Sequence, residues 1–290
     1  MKKLSVTILV ITGLMFGLIG CDNDNDRILV SDPAPEPPQG VFSITGDNEV
    51  YIYWNGPYID DIDGYIVYRS LDPVDNYVAI GTVDAQANPN LDLIVYEFID
   101  GTANNGTTYY YAVTTVDNSG QESFLSAENV FDTPRPEGLV TLTDINVNLS
   151  TAGFDFSTAA IMPGDSPNAD IFVDVFDGVW YINAIDVQTD LQDLGFTDAD
   201  FTTIGWAPTD GWSLLGFSEL IAGHTYVIWT RDDHYAKVRV ESVGATAVSL
   251  RWAYQTDQGN PELSPGIVER PNPDNKIMSK QSLRSQSQAR

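Results

Sequence analysis

The side chains that most often carry catalysis are scarce in this sequence. There are two histidines, His224 and His234, and one cysteine, Cys21, against 41 acidic residues. A histidine-based acid–base system therefore has little to draw on, and one cysteine permits neither an intramolecular disulfide nor a cysteine-based zinc site. The sequence contains no nucleophile elbow, phosphate loop, zinc-protease helix or dinucleotide fingerprint. It predicts a non-enzymatic protein with no catalytic residues, no metal site and no cofactor.

Carboxylates are the remaining candidates for chemistry. The clearest group is Asp60, Asp61 and Asp63, but acidic residues are so common here that such a group has little specificity. A calcium site would need six or more converging oxygens, so a solvated loop is the expected role of this group. The alternative is a glycan-processing enzyme that uses an acidic pair in the C-terminal half. Its two carboxyl groups would face each other across a cleft, about 5 to 9.5 Å apart.

Aromatic residues could form a platform on which a sugar stacks. The candidates in the C-terminal half are Trp180, Trp206, Trp212, Trp229 and Trp252. Aromatic side chains in a β-sandwich are more often part of the core. We therefore expect these tryptophans to be buried, with sugar stacking as the alternative.

The charge distribution excludes one class of partner. The formal net charge is −27, and residues 21–269 contain only seven of the 14 basic residues but 40 of the 41 acidic ones. Such a surface repels phosphates, so we expect no nucleic-acid partner. It attracts cations or a thick hydration layer, and adaptation to a salty habitat would give the same composition.

The N-terminus carries the most specific motif. Lys2 and Lys3 precede an apolar run at 4–19, which is short for a membrane span but suits a signal-peptide core. Residues 18–21, which end in Gly20 and Cys21, resemble the bacterial lipobox. This resemblance implies a lipoprotein signal peptide at 1–20, cleavage between Gly20 and Cys21, and palmitate-type acylation of Cys21. The protein would then be anchored to a membrane of the cell envelope, outside the cytoplasm. A secretory signal without lipidation is the alternative.

Two further segments lie outside the predicted domains. Residues 21–37 combine an acidic run with several prolines, which predicts a semi-rigid linker. An acidic run after the lipidated cysteine resembles either an inner-membrane retention signal or a surface-export signal, and we favour the outer membrane or cell surface. A plain solvated linker is the third reading. Residues 269–290 are basic and lack apolar periodicity, which predicts a disordered tail.

Residues 38–135 consist of short β-branched and aromatic runs between turn residues, notably at 50–54, 64–69 and 107–117. Alternation within the third run places Tyr109, Tyr111 and Val113 on one face. Trp54 and the tyrosine-rich third run resemble the core of fibronectin type III domains. The resemblance implies a β-sandwich with Trp54 and Tyr109 as structural core residues, where the Tyr109 hydroxyl forms a tyrosine corner. Such a module serves as a spacer or as an adhesive unit, and we favour a spacer.

Residues 138–268 form a second strand-rich unit. A run at 170–176 leads into Asp177-Gly178, which suits a tight hairpin turn before a returning strand at 179–182. A short helical turn is expected at 197–200, where Thr197 would be the cap. Three strands follow at 224–230, 235–240 and 247–255, and Asp232-Asp233 joins the first two.

The last three strands are similar to the end of HmuY-like haemophores. The residues that carry this resemblance are Tyr226, Thr230, Tyr235, Ala236, Lys237, Gln255 and Asp257. It implies a mostly-β domain on a surface lipoprotein and, in some members, haem capture. In the predicted hairpin, however, His224 and His234 would be about 20 Å apart, so we expect no histidine pair on one iron. Met162 is a possible lone axial ligand.

Together these features predict an all-β, membrane-anchored envelope lipoprotein that acts in binding, adhesion or scaffolding. A protein, a glycan or haem could be the ligand of its second domain. The alternatives are a haem-binding surface lipoprotein and a glycan-processing enzyme.

Overall fold

The computed structural model describes residues 33–56, 61–86, 94–199 and 201–264. The predictions for the signal peptide, for Gly20 and Cys21, for most of the 21–37 linker and for the 269–290 tail fall outside these residues, as does Asp60. All described regular elements are β-strands except one short 3-10 helix, Leu149–Thr151. The predicted all-β fold class is therefore confirmed.

The N-terminal part is a sandwich of two antiparallel sheets. Its strands are β1 (Gln39–Thr45), β2 (Val50–Asn55), β3 (Ile62–Ser70), β4 (Val78–Asp84), β5 (Val95–Asp100), β6 (Tyr109–Asp117) and β7 (Val130–Asp132). One sheet has the order β1-β2-β5 and the other the order β4-β3-β6-β7. This three-on-four arrangement is a fibronectin-like sandwich. The predicted strands at 50–54, 64–69 and 107–117 correspond to β2, β3 and β6.

The core of this sandwich is aromatic. Trp54 is 0% exposed; its ring stacks on Tyr96 with centroids 5.9 Å apart and meets Tyr65 edge-on at 5.4 Å. Tyr109 is also buried, and its hydroxyl accepts hydrogen bonds from the backbone N–H and the side-chain amide of Asn104, both at 3.2 Å. This bond to the chain five residues upstream ties the loop before β6 to the core, as a tyrosine corner does.

The C-terminal part is a second antiparallel sandwich. Its strands are β8 (Glu137–Thr143), β9 (Gly153–Asp155), β10 (Ala160–Met162), β11 (Ile171–Phe176), β12 (Val179–Ala184), β13 (Asp190–Phe196), β14 (Phe217–Glu219), β15 (His224–Trp229), β16 (Tyr235–Val243) and β17 (Ala247–Gln255). The sheet orders are β10-β9-β11-β12-β14 and β13-β15-β16-β17-β8. The core between them contains Trp180 and Trp252.

One of the two predicted turns of this sandwich is confirmed, and the other differs by one residue. Asp177 and Gly178 join β11 to β12 with φ of 52° and 81°, the two positive values that a type I′ hairpin turn requires. In the next hairpin, Trp229 pairs with Tyr235 across the turn. Thr230 therefore faces His234, and the turn contains three residues, 231–233. The expected register, with His234 beside Arg231, is wrong by one residue.

The helical turn expected at 197–200 is wrong over the residues that the structure describes there, 197–199. Thr197 is held by hydrogen bonds to the segment at the start of β15. Its hydroxyl bonds to the Thr225 hydroxyl at 2.7 Å, and its backbone N–H donates to the carbonyl of Gly223 at 3.0 Å. The chain therefore stays attached to the start of β15 beyond the end of β13, because tertiary hydrogen bonds satisfy the groups that a helix would have used.

The second sandwich has a tyrosine corner of its own. The Tyr226 hydroxyl donates to the carbonyl of Glu219 at 2.6 Å and accepts the N–H of Ile221 at 3.0 Å. The expected core role of the tryptophans is confirmed for Trp180, Trp229 and Trp252, which are buried. Trp206 and Trp212 are only half-buried.

A buried polar joint connects the two sandwiches. Glu262, which is 1% exposed, accepts hydrogen bonds from the backbone N–H of Thr133 at 2.9 Å and from its hydroxyl at 3.2 Å. The buried Arg135 donates to the carbonyl of Leu263 and pairs with Glu137 at 3.0 Å. The segment after β17 thus returns to hold the end of the first sandwich.

Close packing reinforces this joint. The rings of Phe131 and Trp206 lie 6.4 Å apart, edge to face. At Gly106, which has φ of +76°, a Cβ atom would lie 2.5 Å from the Thr256 hydroxyl. The two sandwiches are therefore held in a fixed relation by side chains from both.

Candidate binding cleft

An open cleft of about 400 Å³ lies at one end of the second sandwich. Three loops meet there: the β9–β10 turn, the segment between β10 and β11, and the β15–β16 turn. Its polar lining residues are Asp155, Ser157, Thr158, Asn168, Asp170, Arg231 and Asp232, and its apolar ones are Met162 and Pro167. The volume falls within the range of about 300 to 1,000 Å³ that is typical of small-molecule pockets.

Asp155 organises the β9–β10 turn. Its Oδ1 accepts the backbone N–H and the hydroxyl of Ser157 at 2.9 and 2.7 Å, and its Oδ2 accepts the hydroxyl of Thr158 at 2.7 Å. The turn also contains Ala159 at φ of 52°. Both oxygens of Asp155 are therefore occupied by the loop that they shape.

Asp170 differs from Asp155, because only one of its two carboxylate oxygens accepts a hydrogen bond among the described residues. It precedes β11 and is 6% exposed. Its Oδ2 accepts the N–H of Phe156 at 2.9 Å, whereas its Oδ1 lies 4.0 Å from Arg231 Nη2. Within the described part of the chain, no hydrogen bond reaches that Oδ1. Burial raises the pKa of Asp170 to about 6, and the nearby carboxylates of Asp155 and Asp232 also raise it. The hydrogen bond from the Phe156 N–H acts in the opposite direction.

Arg231 supplies the positive charge of the cleft, but this charge is largely used elsewhere. The guanidinium donates to the carbonyls of Pro167 and Ala169, and its Nη1 lies 3.3 Å from an Asp186 carboxylate oxygen. Arg231 thus fixes the loop before β11 and only partly neutralises Asp170. The cleft keeps a negative electrostatic potential.

Tyr254 lies next to the cleft and is hydrogen-bonded to His234. The Tyr254 hydroxyl lies 2.9 Å from Nδ1 of His234. Burial raises the pKa of Tyr254, and the carboxylates of Asp232, Asp170 and Asp155 raise it further. All three of these aspartates line the cleft.

The two histidines lie at opposite ends of the β15–β16 hairpin. His224 begins β15, and its Nδ1 is 3.0 Å from a carboxylate oxygen of Asp193 on β13. His234 is in the turn beyond the end of β15. The observed register agrees with the separation of about 20 Å that was expected. Met162, by contrast, lines the cleft.

The acidic group near the start of β3 is exposed but not confined to a loop. Asp61 lies in a turn and accepts a hydrogen bond from the Asn118 side chain at 2.9 Å, while Asp63 is an exposed residue of β3. Over 33–56, 61–86, 94–199 and 201–264, no three acidic, histidine or cysteine side chains converge closely enough to hold a metal ion. The same residues include no helix that is long and apolar enough to cross a membrane.

Sequence reasoning did not identify the cleft. Asp155 and Asp170 are two of 41 acidic residues, and nothing in the sequence brings them together with the β15–β16 turn. The signal that could have pointed to them is Arg231, because it is one of few cations in an acidic body and follows directly after a strand.

Known proteins resemble this chain only in part. No family model matches the chain. An amylopullulanase from Thermoanaerobacter thermohydrosulfuricus is 35% identical over 106 residues, which cover 35% of this chain and 6% of that protein. A fibronectin-like protein from Clostridium thermocellum is 27% identical, with a TM-score of 0.28, and covers 37% of this chain and 100% of its own. A DUF4466 family protein from Parabacteroides merdae is 12% identical, with a TM-score of 0.41, over 78% of this chain and 95% of its own. The described residues form an all-β protein with a fibronectin-like sandwich, and the chain spans about 6% of the length of the amylopullulanase.

Proposed function

We propose that the protein is a non-catalytic binding protein of the bacterial cell envelope, and that its ligand occupies the cleft of the second sandwich. The proposal rests on the burial of Asp170 and on its carboxylate oxygen that accepts no hydrogen bond in the described residues. A carboxylate that is 6% exposed keeps one oxygen open toward a cleft of about 400 Å³. Burial of a charge without a full set of partners costs free energy, and such groups are concentrated at functional sites. A ligand that donates to Asp170 would supply the missing partner.

The fibronectin-like sandwich is proposed to act as a rigid mount for this cleft. The Glu262–Thr133 hydrogen bonds and the Arg135 contacts bury polar groups between the two sandwiches. Because these groups must stay paired, relative movement of the sandwiches is costly. The first sandwich would therefore set the position of the cleft with respect to whatever holds the N-terminus.

The proposed holder is a membrane. Residues 18–21 fit the lipobox pattern, and acyl chains on Cys21 would anchor the protein at the outer membrane or cell surface. Each buried methylene contributes about 0.8 kcal/mol, so two or three chains suffice for a stable attachment.

A cleft-filling substitution tests the location of the site. Asn168 is an exposed lining residue, and Asn168→Trp would place an indole ring in the cleft. The matched control Leu139→Trp adds the same ring at an exposed position on β8, which lies in the other sheet. Ligand-detected NMR with a set of small amines, sugars and amino acids should find binders of the wild type and of the control that Asn168→Trp no longer binds. Binders that are indifferent to Asn168→Trp would place the site elsewhere.

A glycan-processing enzyme is the second candidate. It is favoured by the raised pKa of Asp170, about 6, beside the carboxylate of Asp155, because a general acid and an ionised partner need such unequal environments. Incubation with α- and β-glucans that are labelled at the reducing end tests for this activity. Release of shorter products by the wild type, abolished in Asp170→Asn, would establish this candidate in place of the non-catalytic one.

Haem capture is the remaining alternative, and it rests on the HmuY-like strands at 224–255. Met162 lines the cleft, but the surrounding carboxylates would repel the haem propionates. We therefore expect haemin titration to give no saturable Soret shift. A stoichiometric shift that is lost in Met162→Leu would make haem the ligand.

A further inference from the structure

The open acceptors of the cleft are carboxylate oxygens. Besides Oδ1 of Asp170, Oδ2 of Asp232 accepts no hydrogen bond in the described ranges, since the Thr230 hydroxyl goes to Oδ1 of Asp232 at 2.5 Å. The donors of Arg231 are turned to the carbonyls of Pro167 and Ala169 and to Asp186. Among the residues that the structure describes, the cleft therefore lacks a cationic donor within hydrogen-bond distance of these two oxygens.

We infer that the cleft binds the primary ammonium group of a small alkylamine. This inference rests on the proposed function and names the ligand class of the same site. An ammonium group carries three N–H donors and no acceptor. It can donate to Asp170, to Asp232 and to a hydroxyl of the β9–β10 turn. Hydrogen bonds between such ionised groups are about twice as strong as neutral ones.

The shape of the cleft favours an organic cation with an alkyl chain. Its lining includes Met162 and Pro167, whose apolar atoms can cover methylene groups. In the described part of the chain, no three carboxylates converge closely enough for a metal ion, and the cleft volume of about 400 Å³ leaves room for an organic cation. Both oxygens of Asp155 are held by Ser157 and Thr158, so Asp155 contributes charge rather than a direct contact.

Calorimetric titration of the purified protein with putrescine, and separately with butanediol of the same chain length, tests the inference. Near neutral pH, putrescine should bind at least about tenfold more tightly than the neutral diol, as expected when one charge-assisted contact is added. Asp170→Asn keeps the shape and an acceptor for the Phe156 N–H, and it should weaken putrescine binding about tenfold. Asp232→Asn provides a second variant with the same expectation. The control Asp165→Asn removes an exposed charge of the loop before β11 that does not line the cleft, and should leave binding unchanged.

Each of the following results would overturn the inference. Equal binding of putrescine and butanediol would show that the charge is not recognised. Putrescine binding that survives Asn168→Trp would be non-specific attraction to an acidic protein. Calcium binding that is lost in Asp170→Asn would make a metal ion the ligand. If instead sugars or neutral polyols bind and Asn168→Trp abolishes their binding, the proposed function stands while the ammonium inference fails. If Asn168→Trp abolishes the binding of no tested compound, both fail.

Discussion

Asp170→Asn should stabilise the protein at neutral pH, although it changes a side chain that is almost fully buried. The pKa of Asp170 is raised from its ordinary value of 3.8 to about 6, mainly by burial. Each tenfold change in proton affinity corresponds to about 1.4 kcal/mol. The charged form of Asp170 therefore costs the folded state about 3 kcal/mol relative to the unfolded chain. Asparagine can still accept the Phe156 N–H but loses the long-range attraction to Arg231, so we expect a net gain of about 1 to 3 kcal/mol.

The pH dependence gives this prediction its signature. Between pH 3.8 and about 6 the folded state binds more protons at Asp170 than the unfolded state does, so the stability of the wild type falls as the pH rises through this window. Asparagine does not titrate. The stabilisation by Asp170→Asn should therefore be full above about pH 6 and vanish as the pH falls toward 3.8.

Urea denaturation followed by tryptophan fluorescence, over a series of pH values, measures the difference in free energy of unfolding. Asp165→Asn is the control, because it removes an exposed carboxylate from the same loop and should change stability by less than about 0.5 kcal/mol. If Asp170→Asn destabilises the protein at neutral pH, or stabilises it equally at all pH values, then Asp170 is not a desolvated charge in want of a partner.

The remaining predictions concern the core, the joint and the anchor. Trp54→Ala should lower the free energy of unfolding by about 3 to 5 kcal/mol in urea denaturation, because it empties a fully buried site; a loss below about 1 kcal/mol would refute its core role. Glu262→Ala should lower the free energy of unfolding by about 3 kcal/mol, because it leaves the Thr133 N–H buried without a partner. Small-angle X-ray scattering of this variant should show a wider range of sandwich orientations. An unchanged scattering curve would mean that the joint does not depend on Glu262. Cys21→Ser should move the protein from the membrane fraction to the soluble fraction, and retention in membranes after signal cleavage would place the tether elsewhere.

Local patterns were sufficient for the strands that alternate strongly or have defined turns. The run at 247–255 coincides with β17, because its buried positions follow a regular period until the last four residues. The Asp177-Gly178 turn was predictable because few dipeptides adopt two successive positive φ values. Strands such as β9, β10 and β14, with three residues each, are too short to produce a period and are defined by their neighbours.

The joint and the cleft depend on tertiary contacts that a sequence pattern does not contain. Glu262 lies 129 positions from Thr133, and its burial reverses the usual expectation for a glutamate in a polar segment. The carboxylates of Asp155 and Asp170 meet the β15–β16 turn only because β9 and β11 are neighbours in one sheet while Arg231 reaches across from the other. In a sequence with so many acidic residues, Glu262, Asp155 and Asp170 could not be distinguished from carboxylates that are simply solvated.

The central claim is that Asp170 is a destabilised charge that a cationic ligand completes, and NMR titration of the Asp170 carboxyl group tests it most directly. The resonance is assigned by its loss in Asp170→Asn and followed over pH with and without putrescine. The free protein should show a pKa of about 6, and putrescine should lower it toward or below 3.8, the ordinary value, because the bound ammonium group favours the ionised carboxylate. A pKa near 3.8 in the free protein, or a value near 6 that putrescine leaves unchanged, would contradict the claim.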